Sequence, residues 1–237
     1  MKTQISCTII MFVALLSGCN STDTTDQTNS ATPTTGNTTN NGTNQPQADN
    51  TKTPTYTMGD KWIYKYKESG TPEIMLTELV SITRPDGGYT IKKTTTNGSW
   101  NFTDQYRSDG VLIYSTHGTK SEILCSHDLA QSNPIFPIFV GQVSSGSKYS
   151  SCTDGYTTED FTRTVTAYEK VTTAAGSFDA YKIESTVIFK DPSATPSQIT
   201  ITSTDWYSPL VKNSVRTISN GMNGGVATSE ISSYSIH

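Results

Sequence analysis

From Lys61 onward the chain alternates. In Lys61-Trp62-Ile63-Tyr64-Lys65-Tyr66-Lys67 the aromatic side chains share one parity and the three lysines and Ile63 share the other. A period of two is the mark of a strand with one face buried and one face wet. Ile74, Leu76, Val80 and Ile82 form the next such face, with Glu78 the one interruption. Arg84-Pro85-Asp86-Gly87-Gly88 then reads as a turn, because proline presets one central angle and glycine accepts positive φ. The alternation resumes at Tyr89, Asn97-Gly98 marks a tight hairpin, and Trp100, Phe102 and Tyr106 follow at even spacing. Ser108-Asp109-Gly110 turns the chain into Val111 to Thr116.

The rhythm breaks at Asn133 to Gly141, where Pro134 and Pro137 flank apolar residues and exclude a central ladder strand. This stretch reads as an extended connection that plugs apolar side chains into an edge or mouth of the core. Strand patterning returns at Tyr156 to Val171. It continues at Phe178 to Lys190, with Tyr181, Ile183, Val187 and Phe189 on one side, and then at Gln198 to Tyr207, Leu210 to Ser219 and Val226 to Ile236. Asn220 to Gly225 links the last two as a loose loop. No segment carries a helical stripe over three turns, and the Thr, Val, Ile and Tyr content suits strands. Some ten to twelve antiparallel strands in one domain must curl to hide their edges. The expected fold is therefore all-β, a single antiparallel curved sheet forming a barrel or half-barrel. A two-sheet β-sandwich is the alternative.

The amino-terminal quarter cannot join that sheet. Between Asn20 and Thr55 there is no Val, Ile, Leu, Met, Phe, Tyr or Trp, and 13 of these 36 residues are Thr and seven are Asn. With no apolar surface to bury, the segment cannot offset the entropy of ordering its backbone. It reads as a disordered tether with a mean reach of about 30–35 Å. Before it, Lys2 and the apolar run from Ile5 to Leu16 have the layout of a secretory signal peptide and are too short to span a bilayer as a helix. The organisation is thus 1–18 signal peptide, 19–55 linker and 56–237 β domain.

Leu16-Ser17-Gly18-Cys19 resembles the lipobox of bacterial lipoproteins. That resemblance implies cleavage before Cys19, acylation of its thiol and amino terminus, and a membrane anchor. Two or three acyl chains hold a protein on a bilayer where one is marginal. Asn20 at the following position implies the outer membrane, because in such families an Asp there retains the protein at the inner one. Within the domain, Gly59-Asp60-Lys61-Trp62-Ile63-Tyr64, Val171 to Ile183 and Trp206-Tyr207-Ser208-Pro209-Leu210-Val211-Lys212 resemble landmarks of uncharacterised exported bacterial domains. Those domains are similar in fold to the curved-sheet carriers of the LolA/LolB type. The loop at Ser208 to Val211 is shorter here than in that pattern.

Charge and cysteine usage narrow the function. The domain carries 15 Lys plus Arg against 18 Asp plus Glu and shows no basic stripe, so nucleic acid is not an expected partner. Cys7 leaves with the signal and Cys19 takes the lipid, which leaves Cys125 and Cys152 to pair as a disulfide in an exported chain. No phosphate loop, HExxH or GxSxG occurs. His117 reads as part of a turn, and His127 alone makes no zinc site with the cysteines. Asp104 with Glu159-Asp160 could serve a glycosidase only at a defined carboxylate separation. No cofactor and no metal are expected.

The aromatics are more suggestive. Trp62, Tyr64, Tyr66, Trp100, Phe102, Tyr106, Trp206 and Tyr207 recur along several strands. They either fill a barrel core or wall a concave apolar site, for which Trp62, Trp100, Tyr106 and Trp206 are the candidate ligand-binding residues. The expectation is a non-enzymatic envelope lipoprotein binding a lipid, glycan or protein partner through its curved sheet. A structural or assembly accessory with a solid core is the alternative, and an envelope hydrolase comes third.

Overall fold

A computed structural model describes residues 53–117, 123–127, 136–153, 155–191, 198–220 and 225–237. The expected signal segment, Cys19 and most of the expected tether lie outside the described residues. The strands are β1 (Lys61–Glu68), β2 (Ile74–Thr83), β3 (Tyr89–Thr95), β4 (Asn101–Tyr106), β5 (Leu112–His117) and β6 (Ile123–His127). They continue as β7 (Val143–Cys152), β8 (Gly155–Thr173), β9 (Gly176–Lys190), β10 (Gln198–Ser208), β11 (Asn213–Asn220) and β12 (Val226–Ser235). All pairings are antiparallel between sequence neighbours, and β12 pairs with β1, so the sheet closes into a barrel and not into a sandwich.

Closure removes the sheet edges, and the alternation decides which side faces in. Trp62, Tyr64 and Tyr66 of β1 and Ile183, Val187 and Phe189 of β9 are buried, while Lys61, Lys65 and Lys67 and Glu184, Thr186 and Lys190 are exposed between them. A membrane-spanning barrel has the opposite polarity, with an apolar band outside. The apolar interior forms two clusters. The larger gathers Trp62, Leu76, Val80, Trp100 and Ile231, and the smaller gathers Phe136, Ile138, Val165, Tyr181, Ile183 and Tyr207. Each fully buried side chain of this size contributes roughly 1.5–3 kcal/mol.

The end of the barrel where β1 begins, here called the base, is sealed by contacts distant in sequence. Asp60 is fully buried and accepts hydrogen bonds from the backbone N–H of Thr57 at 3.0 Å and of His237 at 2.7 Å. The Lys212 ammonium reaches the same carboxylate at 3.0 Å. Phe136 and Ile138 insert beneath the barrel wall as the expected plug, and the amide of Gly141 donates to Val165 at 2.8 Å. The disulfide between Cys125 and Cys152 joins two residues paired in register on β6 and β7.

Three local expectations fail for identifiable reasons. Ile82 does not share the inward face of β2, because a bulge between Val80 and Ile82 turns it out to 52% exposure. His117 is the last residue of β5, paired with Phe102 and Ile123, and not part of a turn. Leu210 to Lys212 form the turn before β11, with Lys212 at φ 57° and the amide of Val211 donating to Ser208.

Candidate functional site

Trp62, Trp100 and Tyr106 are buried in the larger apolar cluster, and Trp206 is partly buried and packs against that cluster. There Trp100 packs on Tyr66 at 4.8 Å between ring centres, Tyr106 stacks on Tyr89 at 4.9 Å, and Trp62 meets the edge of Tyr56 at 5.9 Å. Trp206 follows the buried Asp205 and precedes the buried Tyr207, so its indole lies on the outer face of β10. Its N–H donates to Glu169 at 2.6 Å, and the Arg216 guanidinium lies 6.0 Å from its ring. Cys19 is outside the described residues.

The carboxylates considered for glycoside chemistry are also separated. Glu159 and Asp160 are neighbours in β8 and point to opposite faces. Asp160 is held outside by Ser147 and Lys190, each at 2.6 Å, and the bond from Lys190 leads in pulling its pKa below the ordinary value. Glu159 pairs with Lys148 at 3.0 Å, and Asp104 pairs with Lys93 at 3.0 Å. Among the described residues no group of His, Cys, Asp and Glu is arranged to hold a metal.

What the barrel does gather is a belt of polar side chains on its inward face. Lys93 of β3 lies 3.0 Å from Asp104 of β4 and 3.7 Å from Glu78 of β2, all three buried. Asn213 donates to the other oxygen of Glu78 at 2.9 Å, and the Tyr106 hydroxyl reaches Asp104 at 3.4 Å. Burial favours the neutral amine of Lys93, but Asp104 and Glu78 outweigh it and raise its pKa above the ordinary lysine value. The belt continues through Ser115, whose hydroxyl lies 3.0 Å from Nε2 of His127. Nδ1 of that ring lies 2.8 Å from the hydroxyl of Ser150.

On β7 to β11 the belt becomes a row. Ser144 pairs in register with Arg163, Arg163 with Ser185, and Ser185 with Ser203. Direct partners in an antiparallel ladder point to the same face, and Arg163 shares its parity with the buried Phe161 and Val165. The Arg163 guanidinium sits 4.6 Å from the ring of Phe161. Beside the row, the carboxylate of Asp205 is 1% exposed and accepts bonds from Thr217 at 2.7 Å and Ser203 at 3.2 Å. Burial nevertheless pushes its pKa up to about 7, against the opposing pull of those hydroxyls and of Arg163.

The belt is not closed on itself. The hydroxyls of Tyr64, Ser144 and Ser185, Nε of Arg163 and Oε1 of Glu159 are buried and have no hydrogen-bond partner among the described residues. A buried polar atom left unpaired costs about 1–3 kcal/mol, and such atoms in native proteins are met by a partner such as an ordered water or an ion. The alternation hid this site. Of its charged members Glu78 stands out in the sequence as a break in an apolar face, and Asp104, between Phe102 and Tyr106, and Arg163, between Phe161 and Val165, carry the same signal.

Comparison with known proteins bears on the fold. Residues 144–224 match the family described as DUF3108-like. A Bacteroides fragilis protein of solved structure, described as exported and of YmcC-like fold, is similar at a TM-score of 0.51. It shares 14% identity, with 76% of this chain and 97% of that one covered. A Parabacteroides distasonis protein described as a lipoprotein gives 0.47 at 17% identity, over 79% of this chain and 100% of its own. The hypothetical lipoprotein YmcC of Escherichia coli gives 0.43 at 10% identity, over 73% and 83%. No curated protein matches the chain.

Proposed function

We propose that this chain is a lipid-anchored protein of the bacterial envelope that binds a small ligand inside its barrel and catalyses no reaction on it. The observation that carries the reading is the inward belt, in which buried hydroxyls and a guanidinium nitrogen lack partners among the described residues. Small barrels commonly hold one ligand in this way. The aromatic residues serve as the rigid wall around the belt, a different role from the direct contact first expected of them.

The anchor rests on Leu16-Ser17-Gly18-Cys19, and Asn20 favours the outer membrane. Exposed Met58, Ile82, Phe139, Val143 and Leu210 lie at the base, the end where the chain from Cys19 joins β1, so the lipid would draw an apolar rim toward the bilayer. Quenching by brominated lipids of a tryptophan placed at Leu210, and not of one at Val226, checks that orientation. The decisive experiment for function is the mass of the protein taken from its own envelope, measured under native and denaturing conditions. A mass present only in the native state supports an enclosed ligand, and identical masses defeat it. Cys19→Ala should release the chain from membranes.

A further inference from the structure

Three neighbouring inward positions on β7, β8 and β9 carry Ser144, Arg163 and Ser185 in direct register. Each contributes a buried polar atom without a hydrogen-bond partner among the described residues. Two can donate O–H bonds and the third is Nε of a guanidinium, so all three atoms of the row can donate, while Oε1 of Glu159 beside them is an acceptor that also lacks a hydrogen bond. Arginine stays charged inside proteins, and a buried charge without a counter-ion is costly unless something pairs with it.

Asp205 and Glu159 both act on Arg163 electrostatically, but neither makes an ion pair or hydrogen bond with it among the described residues. Glu159, two residues away on the same face, lies 3.0 Å from Lys148. Asp104 and Glu78 are committed to Lys93 at 3.0 and 3.7 Å. Each oxygen of Asp205 accepts one hydrogen bond, from Thr217 and from Ser203. The ring of Phe161 lies 4.6 Å from the guanidinium carbon, and Nε is the guanidinium nitrogen that is buried without a hydrogen bond. A planar fork with hydroxyl donors on both sides matches the oxygens of a carboxylate or a phosphate.

We propose that Ser144, Arg163 and Ser185 form a binding site for an anionic oxygen group, a carboxylate or a phosphate, on the ligand that the barrel encloses. This rests on the reading that the barrel encloses a ligand, and names the chemistry of its recognised end. Arg163 supplies charge and bidentate geometry, and the two serines set the position.

The test uses the full chain in detergent, with melting temperature followed against inorganic phosphate, acetate and short-chain phosphatidic acid at constant ionic strength, and sodium chloride as the control. At least one anion should give a saturable rise that chloride does not. Arg163→Met should abolish it, and Ser185→Ala should raise the half-saturating concentration about tenfold, the worth of one hydrogen bond to a charged group. If Arg163→Met does not fold, Ser185→Ala and Ser144→Ala decide alone. Phosphatidic acid acting at far lower concentration than phosphate points to a lipid headgroup, and equal potency to a free anion. No saturable response, or one unchanged in all three variants, overturns the site. A neutral molecule retained natively by both the wild-type chain and Arg163→Met would also overturn it while leaving the proposed function standing. An Arg163-dependent phosphate response in a barrel that carries nothing natively would keep the site and count against the function.

Discussion

The indole N–H of Trp62 donates to the backbone carbonyl of Val211 across the base of the barrel, at 2.7 Å and over 149 residues of sequence. Two residues before Trp62, Asp60 holds Lys212, the residue after Val211, at 3.0 Å. The landmark segment from Val171 to Ile183 joins them, since the Ser208 hydroxyl donates to the carbonyl of Asp179 at 2.9 Å and Tyr207 pairs in register with Tyr181. The three short patches that resemble exported bacterial domains thus converge on one structural seam. Their residues act in closing the barrel, away from the polar row.

Asp60→Ala should destabilise the domain by about 3 kcal/mol or more, because it strands a partly buried ammonium and two backbone donors. Denaturant unfolding measures this. A loss below about 0.5 kcal/mol, the range of ordinary surface substitutions, would contradict the seam.

Lys93→Met leaves Glu78 and Asp104 facing each other without their cation and should cost about 3–5 kcal/mol. Adding Glu78→Gln and Asp104→Asn should recover most of that loss, because no uncompensated charge then remains. A triple variant as unstable as the single one would show that packing, and not charge, governs the site.

Asp205 makes stability depend on pH in a direction that can be worked out. Its folded pKa, about 7, lies above the ordinary 3.8, so the folded state binds this proton more tightly than the unfolded state does. The resulting stabilisation is full below the ordinary value and is lost as pH rises through 7, at about 1.4 kcal/mol per pH unit between the two values. Asp205→Asn should therefore flatten the fall in unfolding free energy between pH 5 and 8 relative to the parent chain. Equal slopes for the two would refute the assignment.

Reducing the Cys125–Cys152 bond should lower stability by about 3 kcal/mol on the chain-entropy estimate for a loop of this size. The strand pairing at Cys125 and Cys152 should survive, because Ser126 and Ser151 continue the same ladder. Amide exchange at those positions before and after reduction checks both statements, and loss of protection there on reduction would contradict the second.

Much of the barrel is legible in the sequence. Trp62, Tyr64 and Tyr66, or Tyr181, Ile183, Val187 and Phe189, declare their inward parity without any knowledge of their partners. Bulges are not legible, since an inserted residue changes parity without changing composition, as at Ile82. The polar row was missed for a different reason. Arg163 reads as one cation in a Thr-rich strand until β7 and β9 place Ser144 and Ser185 on either side of it. That juxtaposition depends on register across three strands, which local alternation does not determine.

The most direct measurement is a crystal structure of the protein purified from its own envelope, with attention to the interior between Ser144, Arg163 and Ser185. An enclosed ligand requires non-protein density inside the barrel that reaches the polar belt. A belt closed entirely by the chain's own side chains, with Arg163 paired to a carboxylate of the protein and no room beside it, would contradict a binding barrel and leave a solid scaffold in its place.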